Sequence, residues 1–176
     1  MSSRFEQTSS ETAWEGRIAT VHLRSFRHED GEEVRREVIS HPGAVAIVAH
    51  DGERIWLVRQ PREAIGVADL LELPAGKLDE EGEDPLATAQ RELAEEIGKA
   101  AEHWEHLLTF YTSPGFTDEA VHVYLATGLS DRTAEVEENE RIDVVSHPLD
   151  ELDALIDGTQ DSKTLIGLYE LRRRLA

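Results

Sequence analysis

The chain contains no cysteine, which excludes a disulfide framework, a thiolate metal site and a cysteine nucleophile. Long apolar runs are missing too. No stretch approaches the roughly 20 residues that a bilayer-spanning helix needs. The polar start MSSRFEQTSSETAWEG lacks the apolar core of a secretory signal. These absences predict a cytoplasmic protein with no membrane partner. Cations are scarce, with 18 Lys and Arg against 37 Asp and Glu and a net charge of −19. Such a surplus repels the phosphates of polymeric nucleic acid and argues against that partner. A small anionic substrate stays compatible, because divalent cations neutralise clustered carboxylates and a few placed arginines hold phosphate. At 176 residues and 39% hydrophobic, the chain has enough length for one domain with a real core.

Residues 1–12 are rich in Ser and Glu, a composition that predicts a frayed end. Residues 13–40 read as an N-terminal β extension, in which alternating segments at 16–28 and 33–40 meet at Asp30-Gly31 as a hairpin. The remainder, 41–176, reads as the main domain. AVAIVAH (44–50) and RIWLVRQ (54–60) flank the turn signal Asp51-Gly52 and predict paired strands. An extended stretch at 70–73 leads into Pro74-Ala75-Gly76. Asp84 as N-cap and Pro85 at the first helical position open a helix, and Gly98 is placed to stop it. Leu86, Ala89, Leu93 and Ile97 form its apolar stripe. Strands are predicted near 105–112, 119–127 and 142–147, and closing helices over 149–156 and 162–175. Asp161 or Ser162 would cap the last helix. Trp56 reads as core.

The 85–97 helix also carries Glu92, Glu95 and Glu96. Residues at this spacing share a face with Cβ atoms ~5–6 Å apart. The acidic face is predicted to lie opposite the apolar stripe. Three carboxylates so close repel one another unless a cation sits among them, and Mg²⁺ favours hard oxygen ligands beside substrate phosphates. Arg91 is the natural side chain to orient them. A solvated acidic face would show the same three glutamates, so the helix alone leaves both readings open.

The surroundings are more specific. From Gly76 the chain reads Gly-Lys-Leu-Asp-Glu-Glu-Gly-Glu83, then after seven residues Arg91-Glu92-Leu93-Ala94-Glu95-Glu96-Ile97-Gly98. This resembles the Nudix box, with two departures. Six residues rather than five separate Gly76 from Glu83, and Lys99 stands where an aliphatic residue is usual. The resemblance implies an α/β fold with a mixed sheet sandwiched between helices and an N-terminal hairpin extension. It also implies hydrolysis of a nucleoside diphosphate linked to another moiety, with Mg²⁺ as cofactor and Mn²⁺ as its substitute, and a homodimer. By the same resemblance Glu92 and Glu96 are the principal metal ligands, with Glu95 and the Ala75 carbonyl as further ligands. Arg91 orients them, Gly76 permits close backbone approach, and Glu83 is an accessory carboxylate.

Three further segments resemble the ADP-ribose pyrophosphatase branch. The first is Arg59-Gln60-Pro61-Arg62, in which Pro61 replaces an aromatic residue. Arginine holds phosphate in bidentate fashion, so Arg62 is the first choice for the diphosphate and Arg59 the second. The second is Glu72-Leu73-Pro74-Ala75-Gly76, which assigns Glu72 to the nucleoside half of the substrate. The third is Ser113-Pro114-Gly115, with Pro114 sixteen residues after Gly98; the turn would offer amides and the Ser113 hydroxyl to a ribose. Together these imply hydrolysis of ADP-ribose to AMP and ribose 5-phosphate. Another nucleoside diphosphate sugar or dinucleotide, such as GDP-mannose or NADH, is the alternative substrate. A non-catalytic nucleotide-binding module is the alternative class.

In that branch the base lies on a later loop, which Glu138-Asn139-Glu140 resembles. Glu138 is the candidate base, and Glu140 is a base or a metal ligand. Replacing a general base is expected to lower kcat by about 10²–10⁴-fold, so steady-state kinetics of Glu138→Gln and Glu140→Gln locate it. If both variants keep kcat within a few-fold of the parent, the base lies elsewhere.

Overall fold

The computed structural model describes residues 4–78, 84–133 and 141–176. The chain divides into two compact units: residues 1–43 with 111–120, and residues 44–110 with 121–176.

The first unit is built on an antiparallel three-stranded sheet of β1 (Phe5–Glu15), β2 (Thr20–His28) and β3 (Glu33–Ser40) in the order β1-β2-β3. The composition of residues 1–12 predicts fraying, but Phe5 onward is a strand. β1 is exposed at every position, so it carries no apolar alternation to betray it. Cross-strand pairs replace a buried face. Phe5 meets Phe26 edge-on with ring centroids 5.5 Å apart, Glu6 accepts from Arg27 at 3.2 Å and Glu11 accepts from Arg35 at 3.2 Å. The hairpin predicted over 16–40 is present as β2 and β3, turned at Gly31 with φ +87°. Residues 111–120, which the sequence places in the main domain, group with this sheet. Their end is fastened to the exit of β3: Ser40 Oγ and the His41 amide each donate to the Asp118 carboxylate at 2.9 Å.

The second unit holds a mixed sheet with strand order β10-β5-β4-β9-β8, and β6 and β7 as branches on β5 and β4. Its strands are β4 (Ala44–His50), β5 (Arg54–Arg62), β6 (Val67–Glu72), β7 (Ala75–Lys77), β8 (Lys99–Tyr111), β9 (Ala120–Asp131) and β10 (Asp143–Pro148). Strand β4 runs parallel to β9 and antiparallel to β5 and β7. Its unbroken apolar run is explained by burial on both faces. Val45, Ile47 and Ala49 face helix α1 (Pro85–Ile97) together with Ala89, Leu93 and Ile97. Ala46 and Val48 face α2 (Leu152–Gly158) and α3 (Ser162–Leu175) together with Leu155, Ile156, Leu168 and Leu171. The α/β/α layering implied by the resemblance is thus the architecture of this unit.

Helix α1 starts and stops where its punctuation predicts. Pro85 opens it, and Gly98 closes it in the left-handed region at φ +66°, its amide bonded to the Ala94 carbonyl at 3.1 Å. The cap differs in one respect, since the Asp84 side chain makes no capping hydrogen bond. The acidic face differs too, because Glu96 is only 8% exposed. At the start of α3, Asp161 is the cap, accepting from the Thr164 amide at 2.9 Å.

Leu93 is fully buried between α1 and the sheet. Leu93→Ala is expected to cost about 2–5 kcal/mol through lost burial and the cavity left behind, measured as a lowered midpoint in chemical denaturation. A loss below about 1 kcal/mol would mean that α1 does not pack as described.

Candidate active site

The second unit brings the residues of the acidic helix onto strand β7. Glu96 turns inward and its Oε2 accepts the Ala75 amide at 2.9 Å. Beside it, Gly76 lies against Glu92 so closely that a Cβ at residue 76 would sit 2.0 Å from both Cδ and Oε1 of Glu92. A side chain at residue 76 would force the Glu92 carboxylate to shift. Arg91 Nη1 donates to Glu92 Oε1 and to Glu95 Oε2, both at 2.9 Å, a contact by which one guanidinium would orient two carboxylates. Ala75, Gly76, Arg91, Glu92, Glu95 and Glu96 therefore form one connected group.

This group fits a hard divalent cation in its donor chemistry: carboxylate oxygens and strand backbone, with no sulfur and no imidazole. Among the described residues no three His, Asp or Glu side chains stand grouped as a metal site. Glu92 and Glu95 meet on Arg91, while Glu96 binds the Ala75 amide. The carboxylates are thus held by a guanidinium and by a backbone amide.

A second group adjoins through the short segment 72–76. Glu72 is fully buried. Its two oxygens accept Nε and Nη2 of Arg62 at 2.6 and 2.8 Å, a bidentate pair across β5 and β6, and Lys163 of α3 donates to the same carboxylate. Lys163 also pairs with Asp161 at 3.0 Å. The Thr164 hydroxyl donates to Asp161 at 2.6 Å and accepts the Leu73 amide at 2.8 Å. Burial pushes the Glu72 carboxyl upward, but hydrogen bonds and charge from Arg62 and Lys163 outweigh it and hold it below the usual glutamate range. Arg62 is raised, first by its hydrogen bond to Glu72, with Asp161 and Glu96 adding attraction against the cost of burial. Arg62 thus feels a carboxylate of the acidic helix as well as its own partner.

A model of the NUDIX domain matches residues 40–168. The chain belongs to the Nudix family. It is 40% identical to a methanol dehydrogenase activator of Bacillus methanolicus, over 98% of this chain and 96% of that protein. It is 37% identical to an ADP-ribose pyrophosphatase of Bacillus subtilis, over 100% of this chain and 97% of that protein. A crystal structure of an ADP compounds hydrolase matches with a TM-score of 0.85 at 22% identity, over 98% of this chain and 94% of that one, a likeness of fold.

Within the Nudix box, the structure accounts for Lys99. Its ammonium lies 4.5 Å from the centroid of the Trp56 ring and pairs with Asp131 at 2.6 Å. The charge at this position is held by the ring and the carboxylate. Glu83, with the extra residue before it, lies outside the described residues, as do Glu138 and Glu140. Arg59 pairs with Asp69 at 3.2 Å. Ser113, Pro114 and Gly115 belong to the first unit, in a turn where the Ser113 carbonyl accepts the amides of Phe116 and Thr117 at 3.1 and 3.0 Å. The resemblance assigns Glu72 to the nucleoside half of the substrate. In the structure it is an internal anchor whose carboxylate faces Arg62 and Lys163.

Sequence reasoning gives Lys163 and Thr164 no role beyond the segment Asp161–Thr164, yet they meet Glu72 and the Leu73 amide. The segment Asp161–Thr164 reads as a helix cap, which it is, but the ammonium of Lys163 meets a carboxylate 91 residues away. No local spacing carries that contact.

Because the folded state holds Glu72 ionised below its ordinary range, the pair stabilises the protein above that range. The contribution is lost as pH falls through the lowered value. Thermal melts from neutral to acidic pH are expected to show stability falling on the acid side, with a shallower fall in Glu72→Gln. An unchanged acid limb in that variant would remove Glu72 as a cause.

Proposed function

We propose that the chain hydrolyses ADP-ribose to AMP and ribose 5-phosphate, with Mg²⁺ as the resident cation and Mn²⁺ as a substitute. The observation that carries this reading is the pairing at the two ends of residues 72–75. Glu72 grips Arg62, the candidate diphosphate-binding arginine, and three residues on the Ala75 amide grips Glu96, a candidate metal ligand. One short stretch of backbone thus couples an anion-binding cation to a cation-binding carboxylate, the combination that a metal-bound diphosphate requires. End-to-end likeness to the Bacillus subtilis ADP-ribose pyrophosphatase supports the substrate.

On this reading Glu92 and Glu96, with Glu95 and the Ala75 carbonyl, hold the cation, and Arg91 orients the carboxylates. A divalent cation supplies charge neutralisation on the diphosphate and lowers the pKa of water. Arg62 takes the phosphate oxygens through the donors that Glu72 leaves, with Arg59 beside it on β5. Gly76 keeps Glu92 against the strand, and Glu83 serves as an accessory carboxylate. Glu138 removes the proton from the attacking water, with Glu140 as base or ligand. Ser113, Pro114 and Gly115 remain the candidate ribose-binding turn. The enzyme works as a cytoplasmic homodimer on a small nucleoside diphosphate, and no helix among the described residues is long and apolar enough to cross a membrane. The likeness to the methanol dehydrogenase activator favours a second reading, in which the chain acts on a partner dehydrogenase. A dehydrogenase assay with and without the chain reads it directly.

Product release from ADP-ribose, GDP-mannose, NADH and dinucleoside polyphosphates, with Mg²⁺ or with chelator, tests the assignment. ADP-ribose is expected to be preferred, activity to vanish with chelator, and Glu96→Gln to lose at least about 100-fold in kcat/KM. A preference of about tenfold for another substrate would overturn the assignment, and no turnover at all would favour a binding module.

A further inference from the structure

We infer that Lys163 is a positioning residue for diphosphate recognition, acting through Glu72 on Arg62. The inference rests on Arg62 being the diphosphate-binding arginine. Of the three side chains only Arg62 opens widely to solvent: its side chain is 43% exposed, against 15% for Lys163 and none for Glu72. A guanidinium has five N–H donors. Two, on Nε and Nη2, are taken by Glu72, which fixes the plane of the group and leaves three for an anion.

How much positive charge those donors present depends on what else neutralises Glu72. If Arg62 were its only cation, a fully buried carboxylate would consume the guanidinium charge. Lys163 shares the load by donating to Oε2, the oxygen that also accepts Nη2 of Arg62. The ammonium is itself fixed, because Asp161 holds it at 3.0 Å while accepting both the amide and the hydroxyl of Thr164. Thr164 in turn accepts the Leu73 amide, so the turn that begins α3 is tied to the residue that follows β6. Lys163 need not touch substrate. Its effect reaches the ligand as the orientation and the surplus charge of Arg62.

The test compares the full-length protein with Lys163→Met, Lys163→Gln and Lys163→Arg, reading kcat and KM for ADP-ribose and the Kd of inorganic pyrophosphate. In Lys163→Met, KM and the pyrophosphate Kd are expected to rise about tenfold while kcat changes less than about threefold; Lys163→Arg restores both within about threefold. Lys163→Gln keeps a hydrogen-bond donor without the charge and is expected to resemble Lys163→Met; it decides the matter if Lys163→Met does not fold. A folded Met or Gln variant with unchanged KM and Kd, altered only in melting temperature, would reduce Lys163 to a structural brace and overturn the inference. A parent protein that binds pyrophosphate but does not turn over ADP-ribose would instead sink the substrate assignment, and the Lys163 variants would still be judged by pyrophosphate binding.

Discussion

The hydrogen bond from the Ala75 amide to Glu96 is the interaction on which the site depends. It docks the acidic side of α1 on the backbone of β7, close enough that a side chain at residue 76 would push the Glu92 carboxylate aside. Without Gly76 the Cβ would overlap Glu92. The rest of the second unit serves that approach. The buried stripe of α1 presses the helix onto the sheet, and β4 carries β7 on one edge and runs alongside β9 on the other. Glu96 is thereby held on the strand, while Arg91 draws Glu92 and Glu95 together.

The same economy of charge governs the neighbouring network. A chain with 37 acidic and 18 basic residues has few cations to place, and the site uses two of them on one carboxylate. Burying Glu72 is costly unless its charge is met and its oxygens are hydrogen-bonded. Arg62 and Lys163 satisfy both conditions, and Thr164 ties the arrangement to the main chain of Leu73. The result is a rigid, partly exposed guanidinium next to an acidic helix. An anion paired with a cation is the ligand such a surface suits.

Much of this was legible in the sequence because it is local. Pro85 and Gly98 mark the ends of α1, the 3.6-residue stripe gives its buried side, and the spacing of Glu92, Glu95 and Glu96 puts them on neighbouring positions. The two-sided burial of β4 follows from its unbroken apolar run. What escaped depends on distance along the chain or on the absence of burial. The Glu72–Lys163 contact joins residues 91 apart, and Ser40–Asp118 spans 78. Strand β1 is exposed along its whole length, so hydrophobic alternation had nothing to record. The inward turn of Glu96 was hidden because a carboxylate on a helix reads as solvent-facing until a strand amide is found for it. Lys99 looked like a defect of the Nudix box and is instead a cation lying over Trp56.

The central claim is that close contact between β7 and α1 makes the carboxylates a metal site. Calorimetric titration of Mn²⁺ into the protein and into Gly76→Ala tests it most directly, with circular dichroism to establish that both are folded. We expect saturable binding by the parent protein and affinity weakened by about 10–100-fold in the folded variant, as for loss of a supporting contact at a metal ligand. Equal affinity in the two proteins would contradict the claim, since the Glu92 carboxylate could then be displaced from β7 without consequence for the cation.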